Sequence, residues 1–133
     1  MKIEDVEGIG PAWAEKLAAA GVQTTDDLLM AGGSSGGRDR LEAATGISGK
    51  RILEWVNHVD LMRIRGVGSE YADLLEAAGV DSSAELAQRN AKNLADTFQE
   101  LDAARNTVRN IPAEAVIQGW IDEAKTLDRA VTH

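Results

Sequence analysis

The sequence contains no cysteine, which excludes disulfides, thiolate metal sites and cysteine catalysis. Its two histidines, His58 and His133, are far apart along the chain, so a histidine metal site is not expected. No run approaches the roughly 18 apolar residues of a membrane span, and residues 1–5 lack the apolar stretch of a secretion signal. We therefore expect a cytoplasmic protein that needs no metal or other cofactor.

Aromatic residues are also scarce: the chain has three Trp, one Tyr and one Phe. The core must be built from Leu, Ile, Val and many Ala, a mixture that suits closely packed helices. Alternating strand patterns are almost absent, so an all-α fold is predicted. Trp13, Trp55, Tyr71 and Trp120 lie on apolar helical stripes, which favours core positions over base-stacking platforms. Trp13 is the one that we expect to be partly exposed, and it is a weaker candidate for nucleic-acid contact.

The net charge is −8, which argues against non-specific binding of nucleic acid, because neutralising phosphates needs a concentrated positive face. The charges are uneven, however. Residues 32–66 carry six basic and four acidic side chains, whereas residues 67–133 carry six basic and twelve acidic ones. An anion site is therefore expected in the middle of the chain.

The chain repeats itself. Residues 6–29 align without a gap on residues 64–87, at an offset of 58, and residues 47–59 resemble residues 112–124 at an offset of 65. This self-similarity predicts two tandem units, residues 1–63 and 64–133, packed as a compact helical bundle.

Local signals divide each unit into short helices. The segments GIG at 8–10 and GVG at 66–68 predict tight turns, and Gly21 and Gly79 stand where left-handed helix C-caps are expected. Thr24–Asp27 and Ser82–Glu85 predict N-caps, the second as a capping box. Weaker turns are predicted at 46–48 and 110–112. Helices are predicted at about 25–31, 38–45, 49–65, 83–90, 92–109 and 113–126.

The segments VEGIGPAWAEKLAAAG at 6–21 and IRGVGSEYADLLEAAG at 64–79 resemble the helix-hairpin-helix motif. That motif combines Gly, an apolar residue and Gly with Ala four residues later and Leu three residues beyond. The order of hairpin, capped helix and weaker hairpin looks like the paired helix-hairpin-helix domain of DNA-repair proteins. Nearly the whole chain is similar to an uncharacterised bacterial family of two tandem paired units.

In DNA-binding members of that superfamily, hairpin N–H groups and the dipole of the following helix converge on a phosphate oxygen. The resemblance therefore implies phosphate contacts at Gly8 and Gly10 of the first hairpin. It implies weaker contacts at Gly66 and Gly68 of the third hairpin. DNA-binding hairpins usually carry Lys or Arg two residues after the second glycine, where this chain has alanine in the first hairpin and Glu70 in the third.

The second hairpin, GISGKR at 46–51, places two cations and free amides at the start of one helix, with two arginines upstream. A phosphate contact, a contact with a partner's acidic patch and plain solvated charges all fit this pattern. The candidate residues are Gly46, Ser48, Gly49, Lys50, Arg51, Arg38 and Arg40.

The remaining patterns do not indicate catalysis. The glycine-rich run 31–38 lacks the strand and the Gly-Lys-Ser/Thr ending of a phosphate-binding loop, so we interpret it as a mobile connector. Acidic pairs fit helix-capping or solvent positions, and no Ser/His/Asp grouping is supported. Two functions are expected for a non-enzyme of this kind: binding of the double-stranded DNA backbone without sequence specificity, or docking of another protein on an acidic helical surface.

Overall fold

The computed structural model describes residues 1–6, 8–105 and 111–133, with the side chains of residues 103–105 left aside. Within these residues the regular structure is helical, apart from one isolated bridge between Lys2 and Thr24, so the predicted all-α fold is confirmed. A 3₁₀ turn at Ile3–Asp5 precedes the α-helices. These are α1 (Pro11–Ala19), α2 (Thr25–Gly32), α3 (Ser35–Thr45), α4 (Gly49–Leu61), α5 (Ser69–Ala77), α6 (Ser83–Leu86), α7 (Ala91–Arg105) and α8 (Glu114–Ala124).

The chain folds into two compact units, each with its own apolar core. Unit 1 comprises Met1–Asp60 together with Arg129–His133, and unit 2 comprises Leu61–Asp128. This division differs from the predicted 1–63 and 64–133, because the last five residues pack with unit 1. The aligned apolar positions of the two units are buried: Ile52, Trp55 and Val56 in unit 1, and Ile117, Trp120 and Ile121 in unit 2.

The first helix of each unit ends in the same way. Gly21 and Gly79 adopt positive φ angles of 88° and 89°, as the left-handed C-cap prediction requires. The next residue in each unit, a buried valine, donates its N–H to a leucine carbonyl five positions back, at 2.9 Å in both cases. Glycine avoids the steric cost that a Cβ would bring in this conformation.

A reciprocal capping box is present at Thr24–Asp27 and not at Ser82–Glu85, where it was predicted. Asp27 N donates to Thr24 Oγ1 (3.1 Å) and Thr24 N donates to Asp27 Oδ2 (3.2 Å), so this pair is reciprocal. At the predicted box, Glu85 N donates to Ser82 Oγ (3.2 Å), but the Glu85 carboxylate accepts from Asp81 N (3.3 Å) instead. Both caps satisfy amides that a helix start would otherwise expose.

Several helix ends differ from their predicted positions. Helix α4 ends at Leu61 instead of 65, because Ile64 N donates to Leu61 O (3.2 Å) and begins the next turn. Helix α6 ends at Leu86 instead of 90, and α3 begins at Ser35 instead of 38. The predicted end of α7 at 109, and the start of the turn predicted at 110–112, lie outside the described residues.

The interpretation of 31–38 as a mobile connector is wrong. These residues belong to α2 and α3 except for two at the bend between the helices. A Cβ added at Gly33 would overlap the carbonyl oxygen of Ala130, and one at Gly37 would overlap that of Ala31. Glycine is required here because backbone segments approach each other closely. Such a packed bend has the same glycine-rich composition as a flexible linker, so the sequence alone does not distinguish the two.

Arg38 joins the C-terminal segment to this bend. Its side chain is buried, and Nη1 donates to Gly32 O (2.9 Å) and Gly33 O (3.0 Å) while Nη2 donates to Thr132 O (2.6 Å). Thr132 N returns a bond to Gly33 O (2.8 Å), and Val131 enters the core of unit 1. The guanidinium therefore satisfies carbonyls at the end of α2 and holds residues 129–133 in place.

Candidate nucleic-acid interface

The first hairpin retains the features expected of an anion site. Gly8 is exposed at a positive φ of 89°, and Gly10 precedes α1 in an extended conformation. No side chain of the described residues caps α1, and Pro11 has no N–H to satisfy. The next amides of the first turn and the positive end of the helix dipole are therefore available to an exposed anion.

At the second hairpin several amides are engaged within the protein, which corrects the expectation that they are free. Gly49 N donates to Glu42 Oε2 (2.8 Å) and Arg51 N donates to Ser48 Oγ (3.2 Å). Gly46, at a positive φ of 76°, caps α3 by donating to Glu42 O (2.8 Å). The Glu42 carboxylate already occupies the start of α4 and would repel a phosphate there.

The two upstream arginines have different surroundings. Arg38 is 6% exposed and makes the three internal bonds described above, so it is a structural residue and cannot reach a ligand. Arg40 is exposed on α3. Lys50 and Arg51 are both exposed at the start of α4, so of the four candidate cations three are accessible.

Arg51, at the end of the second hairpin, lies close to Trp13, which follows the first hairpin. Its Cζ lies 5.1 Å from the centroid of the half-buried Trp13 ring, and Lys16 Nζ lies 5.3 Å from the same centroid. Trp13 also packs edge-on against Trp55, with centroids 6.0 Å apart. These distances are within the range of cation–π attraction. We call Trp13, Lys16 and Arg51 the Trp13 cluster.

The Trp13 cluster adjoins the first hairpin through Trp55. A Cβ added at Gly8 would lie 3.6 Å from Trp55 Nε1, and Trp13 is the third residue of α1. Lys16 was not among the predicted site residues. The signal for it was its helical spacing, because a residue three positions after Trp13 lies on the same helix face.

The corresponding face of unit 2 keeps the glycine and the aromatic rings, but two apolar residues stand at the sequence positions of Lys16 and Arg51. A Cβ at Gly66 would lie 3.3 Å from Trp120 Nε1, and Tyr71 packs against Trp120 with centroids 5.3 Å apart. Leu74 stands at the position equivalent to Lys16, and Val116 at that of Arg51. Gly68 precedes α5 as Gly10 precedes α1, but Glu70 lies in the first turn of α5 and disfavours an anion.

Comparison with known proteins gives a family without an assigned activity. The chain matches the family described as "Domain of unknown function (DUF4332)" over residues 7–127 and belongs to it. No curated protein and no solved structure matches the chain. Among the described residues, every helix is too short or too polar to traverse a lipid bilayer.

Proposed function

We propose that the chain is a non-enzymatic helix-hairpin-helix protein whose first unit binds the phosphate backbone of double-stranded DNA without reading its sequence. The observation that carries this proposal is the position of Lys16 and Arg51 over the Trp13 ring, beside an α1 start that no side chain of the described residues caps. Lys50 adds a third exposed cation next to Arg51.

The chemistry suits a phosphodiester group. Backbone amides at a helix start provide donors and a favourable dipole, and the three cations supply the charge that the dipole alone lacks. Contacts of this kind go to phosphate oxygens, which are the same for every base pair, so they orient a protein on the duplex and carry no sequence information. Of the nine residues predicted as the main contacts, the proposal keeps Gly8, Gly10, Lys50 and Arg51. Arg38 is left out because it is buried, and Gly49 because its amide donates to the Glu42 carboxylate.

Unit 2 is assigned no DNA contact in this proposal. Its hairpin has Glu70 in the first helical turn and no cation at the positions of Lys16 and Arg51. The acidic excess of residues 67–133 instead favours the second function, docking of a protein with a basic surface, if duplex binding is absent.

The test is a fluorescence-anisotropy titration of a labelled duplex with the full chain at several salt concentrations. We expect weak binding that falls with a log–log salt slope of about −3, because three cations would neutralise about three phosphates. The double variant Lys50→Glu/Arg51→Glu should abolish binding.

The matched control is Lys92→Glu/Lys125→Glu, which makes the same charge change at two exposed lysines of unit 2. It should bind more tightly than Lys50→Glu/Arg51→Glu at every salt concentration. Equal losses would show a general charge effect without a site. Absence of wild-type binding to any duplex at low ionic strength would overturn the proposal and leave protein docking as the function.

A further inference from the structure

The side chains around the Trp13 ring determine which part of a nucleic acid this site can bind. Lys16 comes from the same helix, whereas Arg51 comes from α4, and both place their charged groups within 5.3 Å of the ring centroid. Trp55 packs on the ring from the core side. A nucleobase stacking on Trp13 would have to compete with two cations that the protein itself provides.

We infer that Trp13 is a positioning residue: it holds Lys16 and Arg51 beside the first hairpin, and the site therefore takes the phosphodiester backbone of a duplex and not the bases of a single strand. The inference rests on the proposed function and deepens it. Lys and Arg side chains are long and lose rotamer freedom when they are held in one place. Attraction to the ring lowers that cost before the ligand arrives.

Unit 2 provides an internal comparison. Tyr71 occupies the position of Trp13 and packs on Trp120, although Leu74 and Val116 stand where unit 1 has its two cations. An aromatic residue at this position thus belongs to the packing of both units. Lys16 and Arg51 have no basic counterpart at the aligned positions of unit 2, so the test must separate packing from cation placement.

The variants are Trp13→Leu, which removes the aromatic ring, and Trp13→Tyr, which uses the residue that unit 2 has at this position. Trp13→Leu should weaken binding of the labelled duplex about two- to fivefold, the factor that corresponds to an exposed cation–π contact. Trp13→Tyr should retain most of the affinity. Circular dichroism confirms that each variant is folded.

A double-variant cycle separates positioning from a purely structural role. Arg51→Gln should cost less duplex affinity in the Trp13→Leu background than in the wild type, because the arginine is then no longer held in place. It should also lower the salt slope by about one unit in the wild type and by less in Trp13→Leu. The control is Lys125→Gln, an exposed cation of unit 2, whose effect should be the same in both backgrounds.

The outcomes distinguish this inference from the function on which it rests. Duplex binding by the wild type with additive effects of Trp13→Leu and Arg51→Gln would overturn the positioning role and leave the proposed function standing. Tighter binding of a single-stranded oligothymidine than of duplex, with loss of that binding in Trp13→Leu, would identify Trp13 as a stacking platform. No wild-type binding to duplex at low salt would overturn both.

Discussion

The two units have the same hairpin geometry and different surfaces around it. In each, a positive-φ glycine faces the indole nitrogen of a buried tryptophan. An added Cβ would lie 3.6 Å from Trp55 Nε1 at Gly8 and 3.3 Å from Trp120 Nε1 at Gly66. In unit 1 Lys16 and Arg51 lie over the neighbouring aromatic ring. In unit 2 the equivalent of Arg51 is Val116, which is 49% exposed. The glycine–indole pair is therefore a property of the fold, and the charge of this face varies independently of it.

If the two cores are equivalent, truncating matched leucines should have the largest and most similar effects. Leu17→Ala and Leu75→Ala each remove a fully buried side chain at aligned positions, and each should lower the free energy of unfolding by about 2–5 kcal/mol. Urea denaturation of the full chain measures this. Val116→Ala, at an exposed site, is the control and should stay within about 0.5 kcal/mol. A small effect from only one of the leucine changes would break the equivalence.

In unit 1 the Arg38 side chain binds the C-terminal segment, so the stability of this unit should depend strongly on Arg38. Arg38→Met leaves the carbonyls of Gly32, Gly33 and Thr132 without their charged donor, so we expect a loss of about 3 kcal/mol in unfolding free energy. Faster hydrogen exchange at the Thr132 amide should accompany it. Arg40→Met removes an exposed arginine nearby, and equal losses from the two changes would contradict the structural role.

The hairpin glycines sharpen the comparison further. Gly8→Ala and Gly66→Ala should each destabilise by about 1–2 kcal/mol because both have positive φ angles. The loss should be larger at Gly66, where the added Cβ lies 3.3 Å from Trp120 Nε1. Gly119→Ala is a control of opposite sign: it lies within α8 with open space around it and should stabilise by about 0.5–1 kcal/mol. Thermal unfolding of the three variants decides the order.

The smallest expected effect is a pH dependence at the cap of α2. The backbone amide of Gln23, followed by the amide and hydroxyl of Thr24, lowers the pKa of Asp27. A lowered folded-state pKa contributes stability above the unfolded value of about 3.9, and this contribution is lost as the pH falls through the folded value. The difference in unfolding free energy between wild type and Asp27→Asn should therefore be largest near pH 7 and should disappear in acid. Thr24→Ser, which keeps the hydroxyl, should follow the wild-type profile.

Short-range patterns in the sequence predicted most of the local structure. The turn glycines, the C-caps at Gly21 and Gly79 and the N-caps at Thr24 and Ser82 depend on partners within about five residues, and they were found where the sequence placed them. The aligned apolar positions were buried for the same reason: their spacing matches one face of a helix.

Contacts between distant residues decided the rest. Arg38 looked like a mobile cation, but its partner Thr132 is 94 positions away, and no local pattern indicates such a bond. The Glu42 carboxylate accepts a hydrogen bond from Gly49 N across a turn, so an amide that the motif predicts to be free is engaged.

By itself the sequence determined an all-helical chain with repeated glycine turns, because helix periodicity, caps and turns are local interactions. Only the tertiary structure decided that a glycine-rich run is a packed bend and that Lys16 and Arg51 each lie over the Trp13 ring. The physical reason is that close packing and charge clustering depend on residues that folding brings together. The separation of two residues along the chain does not reveal whether they are close in space.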